Sequence, residues 1–219
     1  MPIEEKYKKE LLVYYDTKKL EIKQRLKDFE EIYKHGTDKD IFLELVFCIF
    51  TAGASARMGL RCVEEIKDIV MTASGEEFLE KLRGHHMYPD ARAKYIVHTR
   101  SYLKETIDFK LKEKIDSFKD NIIERRDFFA DNPGIKGLGY KEGSHFLRNI
   151  GFKGYAILDK HILRSLTEFG YLESPKPPST RKKYLLTEEI LKKFSEDLGV
   201  DFDELDLLLW SRKTGEIIK

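Results

Sequence analysis

The chain has 219 residues, 41% of them hydrophobic and 36% charged, with a net charge of +1. That length builds one substantial core or two small ones; the apolar run at 41–50 is too short and too interrupted by charge to span a bilayer, and the charged start MPIEEKYKKELL has no signal-peptide core, so a cytoplasmic protein is expected. Two cysteines, Cys48 and Cys62, are too few for a disulfide scaffold or a four-thiolate metal site, and the high charge beside only four amides (Gln24, Asn121, Asn132, Asn149) is typical of hyperthermophile proteins.

In chain order, residues 11–33 carry helix-spaced apolar positions and many Lys/Glu pairs. Asp40 is a candidate cap for a helix over 41–51, apolar on all sides and so expected at the centre of a domain. A small-residue turn at 52–56 leads into a helix over 57–71. Further helices fit 76–83, 90–103, 110–118 and 121–130. Asn132-Pro133-Gly134 breaks the pattern. A glycine-punctuated hairpin then opens onto a helix at 141–150, residues 151–158 form a loop, and Asp159 caps a helix over 160–169. The proline-bearing stretch 173–180 reads as a linker, and two last helices fit 187–198 and 203–213, the second ended by Gly215. No strand and no repeat is evident, so an all-α protein is expected.

Chemistry concentrates at 134–159. Gly137 and Gly139 permit a tight turn and close backbone approach to a ligand. The helix behind them presents N–H groups and a partial positive charge, which suits a phosphate. Between Pro133 and Arg164 six basic residues face two acidic ones, a local net charge of +4. Ten helical residues rise about 15 Å, and eight loop residues reach back up to roughly 28 Å, so Asp159 can return to the level of Lys141. A neutral lysine amine there can attack a sugar C1′ and expel a base that has been flipped from the duplex, while an aspartate stabilises the cationic sugar or moves protons. Taken singly, Lys141 also reads as a phosphate contact and Asp159 as a plain helix cap.

GIKGLGYKEGSHFLRNIG with AILDKHILR resembles the helix-hairpin-helix DNA glycosylase superfamily, and within it the type 2, archaeal-style 8-oxoguanine DNA glycosylase/AP lyases. FCIFTAGASAR and LDLLLWSRKTG extend the resemblance over nearly the whole chain. The resemblance implies two helical subdomains flanking an active-site cleft, one from 1–33 with 155–219 and one from 34–154 ending in the hairpin at about 134–150. It makes Lys141 the Schiff-base nucleophile and Asp159 its acidic partner. No cysteine follows Cys62, which sets the chain apart from the iron–sulfur endonuclease III branch; no iron–sulfur cluster and no required metal or other cofactor is expected, and the hairpin carbonyls offer ligands to a monovalent cation.

Guanine N7 accepts a hydrogen bond, whereas in 8-oxoguanine N7 carries a proton, so a well-placed acceptor separates the two by leaving the wrong base unpaired. Ile217 and Ile218 are suited to dock the tail, which brings the ammonium and terminal carboxylate of Lys219 to a fixed place. By resemblance, Lys219 distinguishes the oxidised base and Trp210 stacks on it; the plainer alternative is a core tryptophan and a frayed tail. His145, one turn after Lys141, is a candidate for the base pocket or a structural histidine. His161 is a candidate phosphate donor. Ser55, Arg57 and Arg92 resemble residues near the vacated or orphaned base. The expected function is removal of 8-oxoguanine from duplex DNA with strand cleavage, by a monomer. The alternatives are a related glycosylase with another lesion preference and a DNA-binding module without catalysis.

Overall fold

The protein is described by a computed structural model covering residues 3–219, with eleven helices and, among the described residues, no strand. Its first helix, α1 (Glu5–His35), buries Leu11, Tyr15, Ile22 and Phe29 along one stripe. It starts six residues before the apolar pattern at 11–33 indicates. Long-range ties explain the extra turns: Ile3 N donates to Tyr171 Oη at 3.1 Å, Lys8 Nζ to the Asp197 carbonyl at 2.7 Å, and Tyr7 packs on Phe169 with ring centroids 5.6 Å apart.

The chain divides into two compact units, a middle unit of Glu30–Ile150 and a terminal unit of Met1–Phe29 with Gly151–Lys219. In the middle unit, α2 (Asp38–Thr51) is buried at every position from Leu45 to Thr51, as its unbroken apolar character requires. Its cap is Thr37 rather than Asp40. Thr37 Oγ1 accepts from Asp40 N at 3.3 Å and Asp40 Oδ2 accepts from Thr37 N at 2.7 Å, a reciprocal capping box in which the aspartate is the third helical residue.

Ser55 caps α3 (Ala56–Ile66), which stops well short of residue 71. There the Arg100 guanidinium donates to the carbonyls of Val70 and Ala73, at 2.9 and 2.7 Å, in place of a further helical turn. α4 (Gly75–Leu82), α5 (Pro89–Ile107), α6 (Leu111–Ser117), α7 (Ile122–Ala130) and α8 (Tyr140–Asn149) complete the unit. Phe42 meets Phe109 edge-on at 5.1 Å, and Phe129 meets Phe146 at 4.7 Å, so α2 and α7–α8 carry the aromatic core.

In the terminal unit, Asp159 caps α9 (Lys160–Glu168). α10 (Arg181–Leu198) begins six residues before 187, because Thr180 caps it by accepting from Lys183 N at 3.2 Å and Tyr184 in its first turn is buried. α11 (Phe202–Thr214) ends on Gly215 in the left-handed region, at φ 81°. The Tyr15 hydroxyl bonds the buried Glu204 carboxylate, joining α1 to α11, and burial pushes that phenol up.

Candidate active site

The hairpin is seated on one face of α5. Asn132 Oδ1 accepts from Gly134 N at 2.9 Å, and its amide donates to Tyr102 Oη at 2.9 Å. Lys136 N donates to Thr99 Oγ1 at 3.0 Å. Gly137 turns the chain at φ +84°, and a Cβ there would lie 2.7 Å from Tyr95 Cδ2. Two independent constraints, backbone and space, therefore require glycine at 137. Tyr95, Thr99 and Tyr102 recur at helical spacing, so α5 presents a platform for the turn.

Behind it, Gly139 is the N-cap of α8 and has no side chain to satisfy the first helical N–H groups. Glu142, the third helical residue, reaches back instead, its Oε2 accepting from Gly139 N at 3.3 Å. Its other oxygen, Oε1, lies 2.9 Å from Lys141 Nζ. The two side chains are 29% and 15% exposed, so this pair is sheltered but reachable. Gly143 lets α8 approach α7 closely, since a Cβ would sit 3.2 Å from that of Ala130. Arg126 lies buried beneath, 3.3 Å from Ser144 Oγ and 5.8 Å from the Tyr140 ring centroid.

In the terminal unit the segment before Asp159 is built, not slack. Gly154 N donates to Asp203 Oδ1 at 2.7 Å and Ala156 N to the buried Glu188 carboxylate at 3.0 Å. Tyr184 Oη donates to the Ala156 carbonyl at 2.8 Å and accepts from Leu158 N at 3.3 Å. Asp159 is half-buried, and Oδ1 accepts from both His161 N and Ile162 N, at 2.7 and 2.8 Å. Those bonds fix the carboxylate's orientation. Burial pulls the His161 imidazole below its usual value, with the Asp159 charge opposing.

Lys141, His145 and the hairpin glycines fall in the middle unit; Asp159, His161, Trp210 and Lys219 fall in the terminal unit. His145 is buried, its ring edge-on to Phe47 at 5.7 Å. Ser55 and Arg57 are exposed, and Ser55 Oγ accepts from Met58 N at 3.2 Å as the α3 cap. Arg92, a candidate contact to the orphaned base, is buried. Its guanidinium bonds the Ala52 carbonyl at the turn and lies 5.7 Å from the Tyr95 ring centroid. A buried arginine needs such acceptors, and a backbone carbonyl forty residues away leaves no mark in the pattern. Trp210 is half-buried on α11; Ile217 is buried, and Lys219 half-buried.

Four side chains that hold the start of α8 or the segment before Asp159 have no role in the sequence reading: Glu142, and separately Tyr184, Glu188 and Asp203. Only Glu142 carries a local signal, an acidic residue three positions after a capping glycine. Among the described residues no group of three or more His, Cys, Asp or Glu side chains could share a metal ion, and no helix is long and apolar enough to cross a membrane.

A glycine hairpin between α7 and α8, with a lysine in the first turn of the second helix, within an all-α chain, defines the helix-hairpin-helix glycosylase fold. Over residues 22–200 the chain matches the 8-oxoguanine DNA glycosylase family, and it belongs to that family. A relative from Korarchaeum cryptofilum named 8-oxoguanine DNA glycosylase/AP lyase is 42% identical over 199 residues, 90% of each chain. The crystal structure of the 8-oxoguanine DNA glycosylase of Thermotoga maritima is similar with a TM-score of 0.87 and 38% identity, over 98% of this chain and 99% of that one. The Methanocaldococcus jannaschii 8-oxoguanine glycosylase/lyase, solved with a 15-mer DNA containing 8-oxoguanine, gives 0.86 and 37%, over 97% and 99%.

Proposed function

We propose that the chain excises 8-oxoguanine from duplex DNA and cleaves the strand at the vacated sugar, with Lys141 as nucleophile and Asp159 as its acidic partner. It is a bifunctional glycosylase/AP lyase of base-excision repair, as its family membership and the names of its relatives support. The observation that carries the residue assignment is the placement of Lys141 in the first turn of α8, directly behind the Gly137 turn.

The hairpin N–H groups and the α8 N-terminus bind a backbone phosphate. The Lys141 amine, once neutral, attacks C1′. The C1′–N9 bond breaks, its electron pair leaves with the base, and a proton reaches the departing purine. Ring opening gives a protonated imine. Loss of a proton from C2′ then expels the 3′ phosphate, and water hydrolyses the imine to return the free lysine. The Asp159 carboxylate, anchored through Oδ1, stabilises positive charge on the sugar and accepts or returns protons. Trp210 stacks on the flipped base, with the tail at Lys219 reading its oxidised edge and His145 bordering the pocket. His161 donates to phosphate, while Ser55, Arg57 and Arg92 serve the strand around the orphaned base, Arg92 by fixing the 52–55 turn. The working form is a cytoplasmic monomer.

Borohydride reduction during reaction with an 8-oxoguanine duplex is the decisive test. A covalent protein–DNA adduct is expected from the intact chain and none from Lys141→Gln, which should still bind the duplex. A chain that binds and forms no adduct is a DNA-binding module. An adduct surviving in Lys141→Gln places the nucleophile elsewhere, and an adduct stronger on another lesion assigns a different substrate.

A further inference from the structure

Adjacent residues on a helix point about 100° apart and do not normally face each other. Lys141 and Glu142 nonetheless meet at 2.9 Å. The cause is the cap: Glu142 folds back toward Gly139 N, and its free edge then lies beside the lysine. One carboxylate thus accepts from a backbone N–H through one oxygen while its second oxygen grips the nucleophile.

We infer that Glu142 is a positioning residue for the reaction, holding the Lys141 nitrogen above the α8 N-terminus so that it meets C1′ in one orientation. This rests on the reading of Lys141 as the nucleophile. A lysine side chain has four rotatable bonds and no rigidity of its own. The contact to Glu142 Oε1, an ion pair to the ammonium and an N–H donor bond once the amine is neutral, selects one arrangement from that set, and displacement of a reacting atom by about 1 Å costs on the order of 100-fold in rate.

Glu142→Gln separates positioning from capping. The glutamine carbonyl can still accept from Gly139 N, but a carboxamide has one acceptor oxygen and cannot hold Lys141 as well. The variant should keep its Tm and its Kd for a duplex bearing a tetrahydrofuran abasic analogue, which cannot form an imine. Its single-turnover excision rate at saturating 8-oxoguanine duplex, and its rate of borohydride trapping, should fall about 10- to 100-fold. Glu142→Ala loses both functions and should combine that fall with a lowered Tm. A Glu142→Gln rate within twofold of the natural chain, or above it, overturns the inference and leaves Glu142 a cap; so does a fall matched by equal loss of duplex binding. Absence of an adduct with the natural chain instead removes the Lys141 reading itself.

Discussion

Replacing Tyr184 with phenylalanine tests whether the segment before Asp159 is held by its side-chain clamp. The hydroxyl serves two backbone groups at once, the Ala156 carbonyl at 2.8 Å and Leu158 N at 3.3 Å, and the residue is 4% exposed. Phenylalanine keeps the ring and strands both groups away from water. Each stranded group costs about 1–3 kcal/mol, so the pair amounts to roughly 2–6 kcal/mol. In a domain of this size 1 kcal/mol moves Tm by about 2–4 °C, giving a fall of roughly 4–24 °C. Glu188 still holds Ala156 N, so the loop should shift rather than melt. Because Asp159 directly follows, the single-turnover excision rate should drop at least tenfold with duplex affinity retained. Thermal melting by circular dichroism and single-turnover excision measure the two effects. A Tm loss below 2 °C would show that the clamp contributes little, and a full Tm loss with an unchanged rate would show that it does not orient Asp159.

Deleting Lys219 should slow 8-oxoguanine excision by about 10- to 100-fold, the value of a hydrogen bond to a charged group, and leave strand cleavage at a ready-made abasic site unchanged; an equal effect on both substrates would separate the tail from base recognition. Glu168 is held at a pKa of about 2, chiefly by its hydrogen bond to Arg212 and also by Lys213. A depressed carboxylate adds stability above its unfolded value near 4.5 and loses it as pH falls toward 2. The Tm advantage of the natural chain over Glu168→Gln, at most a few degrees for such a solvated pair, should therefore vanish across that window; a difference constant from pH 6 to pH 2 would contradict this.

The parts of the site visible in the sequence are those written in local chemistry. Gly137 and Gly139 mark a turn, Lys141 follows at a helix start, and Asp159 stands where a cap belongs, as its bonds to His161 N and Ile162 N bear out. The burial of α2 follows from its apolar run. What escaped notice depends on residues distant in sequence. Tyr184 and Glu188 sit one helical turn apart on α10, and nothing nearby says that they grip a loop some thirty residues earlier. Arg92 has the sequence appearance of a solvated charge until its acceptor, the Ala52 carbonyl, is seen. At α2 the ambiguity is smaller: Thr37 and Asp40 are both good caps, and only the backbone reveals which one stands outside the helix.

Gly137 carries a consequence for how this protein can change over generations. A side chain there would need both a left-handed backbone and room now taken by the Tyr95 ring. Shrinking residue 95 relieves the crowding and leaves the backbone strain, while reshaping the turn leaves the ring in the way. No single residue change satisfies both conditions. Position 137 is accordingly closed to one-step substitution, whereas Ser55 and Arg57 are exposed and face no such crowding.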